Sequence, residues 1–121
     1  MTIADAGPGE AVLFIYRLKP GMGEEYDRMH ATVWPEIRAL LDEAGIYDYR
    51  IWRYEEIVVS QLRTRRGFRH AQAVTAASEA QARWTAAMSH IFDVTTDESG
   101  QPLWLHPVFA HRLLPESREG Q

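Results

Sequence analysis

Tyr26 and His30 stand four residues apart in a stretch, residues 23–44, whose apolar positions recur with helical period. At about 100° per residue, Tyr26, Met29, His30, Val33, Trp34, Ile37, Leu40, Leu41 and Ala44 share one arc. Glu24, Glu25, Asp27, Arg28, Glu36, Arg38, Asp42 and Glu43 fall outside it, so the stripe is amphipathic. A histidine on the sheet side of a helix titrates near neutrality and can exchange protons with a bound ligand. The tyrosine one turn away is its neighbour and can orient it or relay a proton. The competing reading is a core histidine satisfied by one hydrogen bond, and spacing alone leaves both open. Pro35 interrupts the pattern; it removes the bond to the Ala31 carbonyl and predicts a kink in one long helix.

Other chemistry-bearing groups point elsewhere. His106 and His111 are five residues apart, on opposite faces of a regular strand, so no metal pair is expected. Arg63, Arg65, Arg66 and Arg69 read as a solvated basic cluster. Met88, Ile91 and Phe92 read as core. Cysteine is absent, which removes disulfides, thiolate catalysis and sulfur-ligated metals. There is no Gly-rich phosphate loop and no Gly-x-Ser-x-Gly elbow.

The elements that must position these residues follow from pattern. Residues 1–10 read as a flexible arm, with Pro8 among small residues, and 114–121 as a polar tail, leaving one domain over 11–113. Ala11–Leu18 is a β-type run ended by Lys19-Pro20-Gly21. Tyr47–Arg53 alternates and is aromatic-rich, and Ile57–Thr64 follows after a short polar connection, so the two predict an antiparallel hairpin. Residues 67–92 predict helix with a break near Ser78, where Ser78-Glu79-Ala80-Gln81 fits a capping box. Residues 95–102 read as loop and Leu103–Leu113 as a last strand. The order β-α-β-β-α-β fits an α+β fold: one four-stranded antiparallel sheet with both helices on one face. The first strand is apolar on both faces, so its uncovered side is expected to be a ligand surface or, in the preferred reading, the interface of a sheet-to-sheet homodimer.

Composition bounds the function. Hydrophobic residues at 45% and charged residues at 25% are ordinary for a globular domain. No apolar run approaches the length of a membrane span, and the start lacks the marks of a secretory signal, so no membrane association and a cytoplasmic protein are expected. Thirteen basic against 17 acidic residues, net −4, weigh against a nucleic-acid partner.

The stretch Gly-x-Gly-Glu-Glu-Tyr-x-x-x-His-x-x-x-Trp-Pro-Glu, Gly21 to Glu36, resembles the L-rhamnose mutarotases. So do Tyr49-Arg50-Ile51-Trp52, Ala82-Arg83-Trp84 with Met88 and Phe92, and Pro102-Leu103-Trp104-Leu105 with Val108-Phe109. The resemblance covers residues 11–113. It implies a ferredoxin-like fold assembled as a dimeric α/β barrel, and an isomerase interconverting the α and β anomers of a deoxy-hexose such as L-rhamnose, without cofactor or metal. By position it makes His30 the general acid and Tyr26 and Tyr49 binders of the monosaccharide. The family's two adjacent tryptophans fall on Trp84 and Thr85, so the second indole is missing here.

Two rival readings share the element order. An RNA-recognition module is suggested by Leu13–Leu18 and by Arg66-Gly67-Phe68, but its next aromatic positions hold His70 and Ala73. A barrel-fold monooxygenase or haem-degrading relative would use His30 as an iron ligand; the Tyr-x-x-x-His-x-x-x-Trp-Pro spacing favours the mutarotase.

Overall fold

Pro35 sets the helical layer. In the computed structural model, which describes residues 5–111, the expected single helix is two: α1 over Gly23–Ala31 and α2 over Pro35–Glu43. Proline disfavours helical backbone in the residue before it, and Trp34 is extended at φ −56°, ψ 138°. Pro35 then occupies the first turn of α2, where its missing N–H costs nothing. The expected kink is therefore a restart. The second helical stretch also divides, into α3 (Phe68–Ala76) and α4 (Glu79–Met88). Ser78 caps α4 by accepting from the Gln81 N–H at 3.2 Å, while the Gln81 side chain bonds Thr85 instead of closing the box.

The strands are β1 (Val12–Leu18), β2 (Ile46–Tyr54), β3 (Ile57–Thr64), β4 (Phe92–Val94) and β5 (Leu103–Trp104). The hairpin of β2 and β3 forms as expected, and the antiparallel sheet runs β2-β3-β1-β4. This is the ferredoxin-like arrangement with an open sheet. Two expectations are corrected. Phe92, assigned to the end of a helix, lies in β4. The last strand is only Leu103–Trp104, bonded to Phe14 and Ile15 on the β1 edge that β4 also uses. Residues 112–113 of the expected strand and the tail 114–121 lie outside the described residues.

Strand alternation sorts the sheet into two faces. Val12, Phe14, Leu18, Val58 and Leu62 are buried under the helices. One apolar cluster joins Val12, Phe14, Leu62 and Phe68; the other joins Leu18, Tyr26, Val58, Met88 and Ile91. Of the arm expected at 1–10, residues 5–10 are in fact tied down. Ala6 is buried in the first cluster, its carbonyl accepts from the Phe68 N–H, and the Gly9 N–H reaches the Thr64 carbonyl. On the opposite face the register aligns Ile15, Val59 and Trp52, and Ile57 with Tyr54, with no helix or strand of the described residues over them.

One irregularity bears on the site. Between Tyr47, opposite Arg63, and Arg50, opposite Gln61, β2 carries an extra residue. Asp48 absorbs it at φ 50°, a left-handed conformation that aspartate tolerates better than most residues. This β-bulge flips the pleat, so Tyr49 joins Ile51 on the helix-covered face while Tyr47 stays on the other. Arg50 and Arg63 donate to the Asp48 carboxylate at 2.8 and 3.1 Å and hold it there.

Candidate active site

A cavity of about 820 Å³ lies between the helices and the β2 side of the sheet. Tyr16 from β1, Tyr26 and His30 from α1, Tyr49 from β2, and Trp84 and Thr85 from α4 line it. All five residues singled out in the sequence as site residues, from three separate segments, thus meet at one cavity, joined there by Tyr16. Its size suits a small ligand, and its mixture of aromatic rings with a few polar groups is typical of small-molecule sites.

His30 is fixed by its own helix. Its Nδ1 lies 2.9 Å from the Tyr26 carbonyl oxygen, which can only accept, so Nδ1 carries a proton. Nε2 is left as the nitrogen available to a ligand. The ring stacks on Tyr26 at 4.1 Å and meets the Trp84 edge at 5.6 Å. Tyr26 therefore orients the histidine through its backbone and ring; its hydroxyl makes no bond to the imidazole.

The three tyrosines are held in their neutral form. Burial, and then the neighbouring Tyr49, push the Tyr16 phenol well above its usual range. Burial does the same to Tyr26, with Tyr49, Tyr16 and Asp27 adding to it. Desolvation pushes Tyr49 up to about 12, although 37% of its surface remains open. Near neutral pH each hydroxyl is a hydrogen-bond donor and acceptor, not a phenolate base.

The α4 wall is half aromatic and half polar. Trp84 is braced edge-on by Trp34, with ring centroids 5.0 Å apart. Beside it the Thr85 hydroxyl accepts from the Gln81 amide at 3.1 Å. Sequence reasoning missed the bracing role of Trp34, although its position before Pro35 was the signal that its backbone leaves the helix. Neither Trp52 nor Trp104 lines this cavity to supply the missing indole. Trp104 packs on Phe14 and Phe68, and Trp52 is half exposed on the open sheet face.

The other sequence candidates resolve differently. Met88 and Ile91 are core, as expected. Arg63 and Arg69 are not simply solvated: they bond Asp48 and Asp5, while Arg65 lies 4.8 Å over the Tyr47 ring. Phe68, needed as a stacking platform by the RNA-binding reading, is buried at the start of α3. Among the described residues no three His, Asp or Glu side chains converge as a metal site would require. No described helix is long and apolar enough to cross a membrane.

Comparison with known proteins gives one consistent result. The family model described as L-rhamnose mutarotase matches residues 11–111. The L-rhamnose mutarotase of Verminephrobacter eiseniae is 39% identical over 94 residues, covering 78% of this chain and 87% of the relative. That of Brucella anthropi is 36% identical over 101 residues, covering 84% and 95%. The crystal structure of an L-rhamnose mutarotase from Formosa agariphila superposes with a TM-score of 0.66 at 21% identity, over 86% of this chain and all of that one, and so shares the fold. Neither rival reading is favoured by these matches. With residues 11–111 matched by the family model and most of each relative's length covered, the chain belongs to the L-rhamnose mutarotase family, whose members are carbohydrate isomerases.

Proposed function

We propose that this chain interconverts the α and β anomers of a deoxy-hexose pyranose such as L-rhamnose in the cavity between α1, α4 and β2, with His30 as general acid. One observation carries the proposal: the Nδ1 bond to the Tyr26 carbonyl leaves Nε2 free beside neutral hydroxyls and an indole face. In the protonated imidazole both nitrogens carry a proton. Nε2–H delivers its proton to the ring oxygen while the anomeric hydroxyl loses its own to a base. The bond between C1 and the ring oxygen breaks and C1 becomes a carbonyl. Rotation about the C1–C2 bond and reversal of the same transfers close the ring on the other carbonyl face. No atom is gained or lost, and no covalent intermediate is required.

Tyr26 and Tyr49 hold sugar hydroxyls, and Trp84 takes the C–H face of the pyranose, burying apolar area that hydroxyls cannot satisfy. General acid catalysis of this kind contributes typically ~10²–10⁴-fold. The active assembly is a homodimer through the open sheet face, where Trp52 and Tyr54 are 50% and 77% exposed, and the cytoplasmic setting follows the family. Saturation-transfer NMR of anomeric exchange, run across L-rhamnose, L-fucose and related hexoses, tests the activity. Exchange faster than in buffer is expected for L-rhamnose; no acceleration of any of these sugars would overturn the proposal.

A further inference from the structure

A second cavity, of about 570 Å³, opens on the other flank of His30 and is walled by Asp27, Trp52 and Arg53. There the Arg53 guanidinium grips the Asp27 carboxylate with two parallel bonds, 2.8 Å from Nε to Oδ1 and 2.7 Å from Nη2 to Oδ2. Its third nitrogen, Nη1, donates to the Glu55 carbonyl at 2.7 Å, so all sides of the fork are engaged. The guanidinium lies across the first residue of α1. A methyl group at Gly23 would overlap Arg53 Nη1 and Cζ, so only glycine leaves room for the clamp. The clamp joins the helix that carries Tyr26 and His30 to the strand that carries Tyr49.

We propose that Arg53 is a positioning residue for His30, acting through Asp27 and the cradle at Gly23. It has two effects. It sets α1 against β2, and hence His30 against Tyr49. It also cancels the charge of Asp27, which lies three residues before His30 and therefore beside it on the helix. The two groups are within electrostatic reach, since His30 contributes to holding the Asp27 carboxyl below its usual range, after the larger effect of Arg53. The other charged or titratable groups that share the larger cavity with the imidazole from the neighbouring elements are Tyr16, Tyr49, Arg38, Asp42 and Asp93. Glu25 and Arg28 pair with each other further along α1, where Glu25 also meets His90. None of these changes in the variants below.

The proposal rests on His30 being the acid, but its test reads the histidine directly. Arg53→Gln leaves a bare carboxylate beside His30, and the NMR titration of the imidazole should move up by about 0.3 pH unit. Asp27→Asn leaves a bare guanidinium and should move it down by a similar amount. The double variant should return to the wild-type midpoint. Arg53→Lys keeps the charge but loses the fork, so the midpoint should hold while kcat falls by about tenfold and KM changes less. Gly23→Ala should lower kcat as Arg53→Lys does, although alanine is the better helix former. Opposite midpoint shifts with those kinetic losses support the clamp. Shifts in the same direction, an unmoved midpoint, or a Gly23→Ala protein that melts higher and exchanges sugar normally would overturn it. If exchange persists in a His30→Ala protein, the acid assignment fails instead, and the titration still reports on the clamp.

Discussion

Replacing Thr85 with tryptophan should restore a second indole to the sugar site. Thr85 is exposed at the mouth of the cavity, next to Trp84 on α4. About 820 Å³ of space adjoins it, so the larger side chain has room without displacing the core. One additional aromatic contact is worth ~1 kcal/mol, which is about fivefold in Kd. What is lost is the 3.1 Å bond from Gln81, a partly exposed contact one helical turn long. Contacts of that type contribute about 0.2–0.5 kcal/mol to a helix, so the melting temperature should fall by no more than about 2 °C. Affinity and stability therefore respond separately. L-Rhamnose titrations by calorimetry on the wild type, Thr85→Trp and Thr85→Val measure both parts, since valine removes the hydroxyl without adding a ring. The expected order is Thr85→Trp tighter by about fivefold and Thr85→Val close to wild type. Unchanged or weakened binding in Thr85→Trp would refute the assignment of position 85 to the sugar platform.

Three further outcomes are expected. The tyrosine phenols whose pKa values are raised in the folded protein stabilise it fully below the unfolded value of 10.0, and that contribution is lost as pH rises through the folded values, for Tyr49 about 12. Ultraviolet titration should therefore show the cavity phenolates forming late and together with unfolding; early phenolate formation in the intact fold would contradict the burial argument. At Asp48, glycine or asparagine should keep the left-handed backbone and most sugar affinity, whereas alanine should weaken binding several-fold through a misplaced Tyr49; equal affinity in all three would dissociate the bulge from the site. Light scattering should find a dimer at micromolar concentration, and a stable monomer would remove the interface assigned to the open sheet face.

Much of this arrangement is legible in the sequence because period and punctuation are local. The two apolar faces of 12–18, the alternation and turn before 57–64, and Ser78 ahead of Gln81 each specify their element within a few residues. The Tyr26–His30 pair is legible for the same reason. What stays hidden depends on contacts distant in sequence. Alternation would put Tyr47 and Tyr49 on one face; they part because Asp48 takes a left-handed turn held by Arg63, fifteen residues away. Arg53 reads as one more charge in an alternating strand until the fold brings it to Asp27. Phe92 continues the helical spacing of Trp84 and Met88, and only pairing with Leu18 makes it a strand residue. Pro35 was legible as an interruption, but a projection carried through it treats two helices as one and hides the turn that brings Trp34 against Trp84.

The central claim, that His30 moves the proton, is tested most directly by anomeric exchange in a His30→Ala protein, measured by NMR beside its melting curve. Loss of a transition-state interaction should slow exchange by ~10²-fold or more and leave sugar affinity within a few-fold of wild type. The fold should persist, because the imidazole is half-buried and its one hydrogen bond among the described residues is to its own helix. A folded His30→Ala protein that exchanges anomers at the wild-type rate would contradict the account.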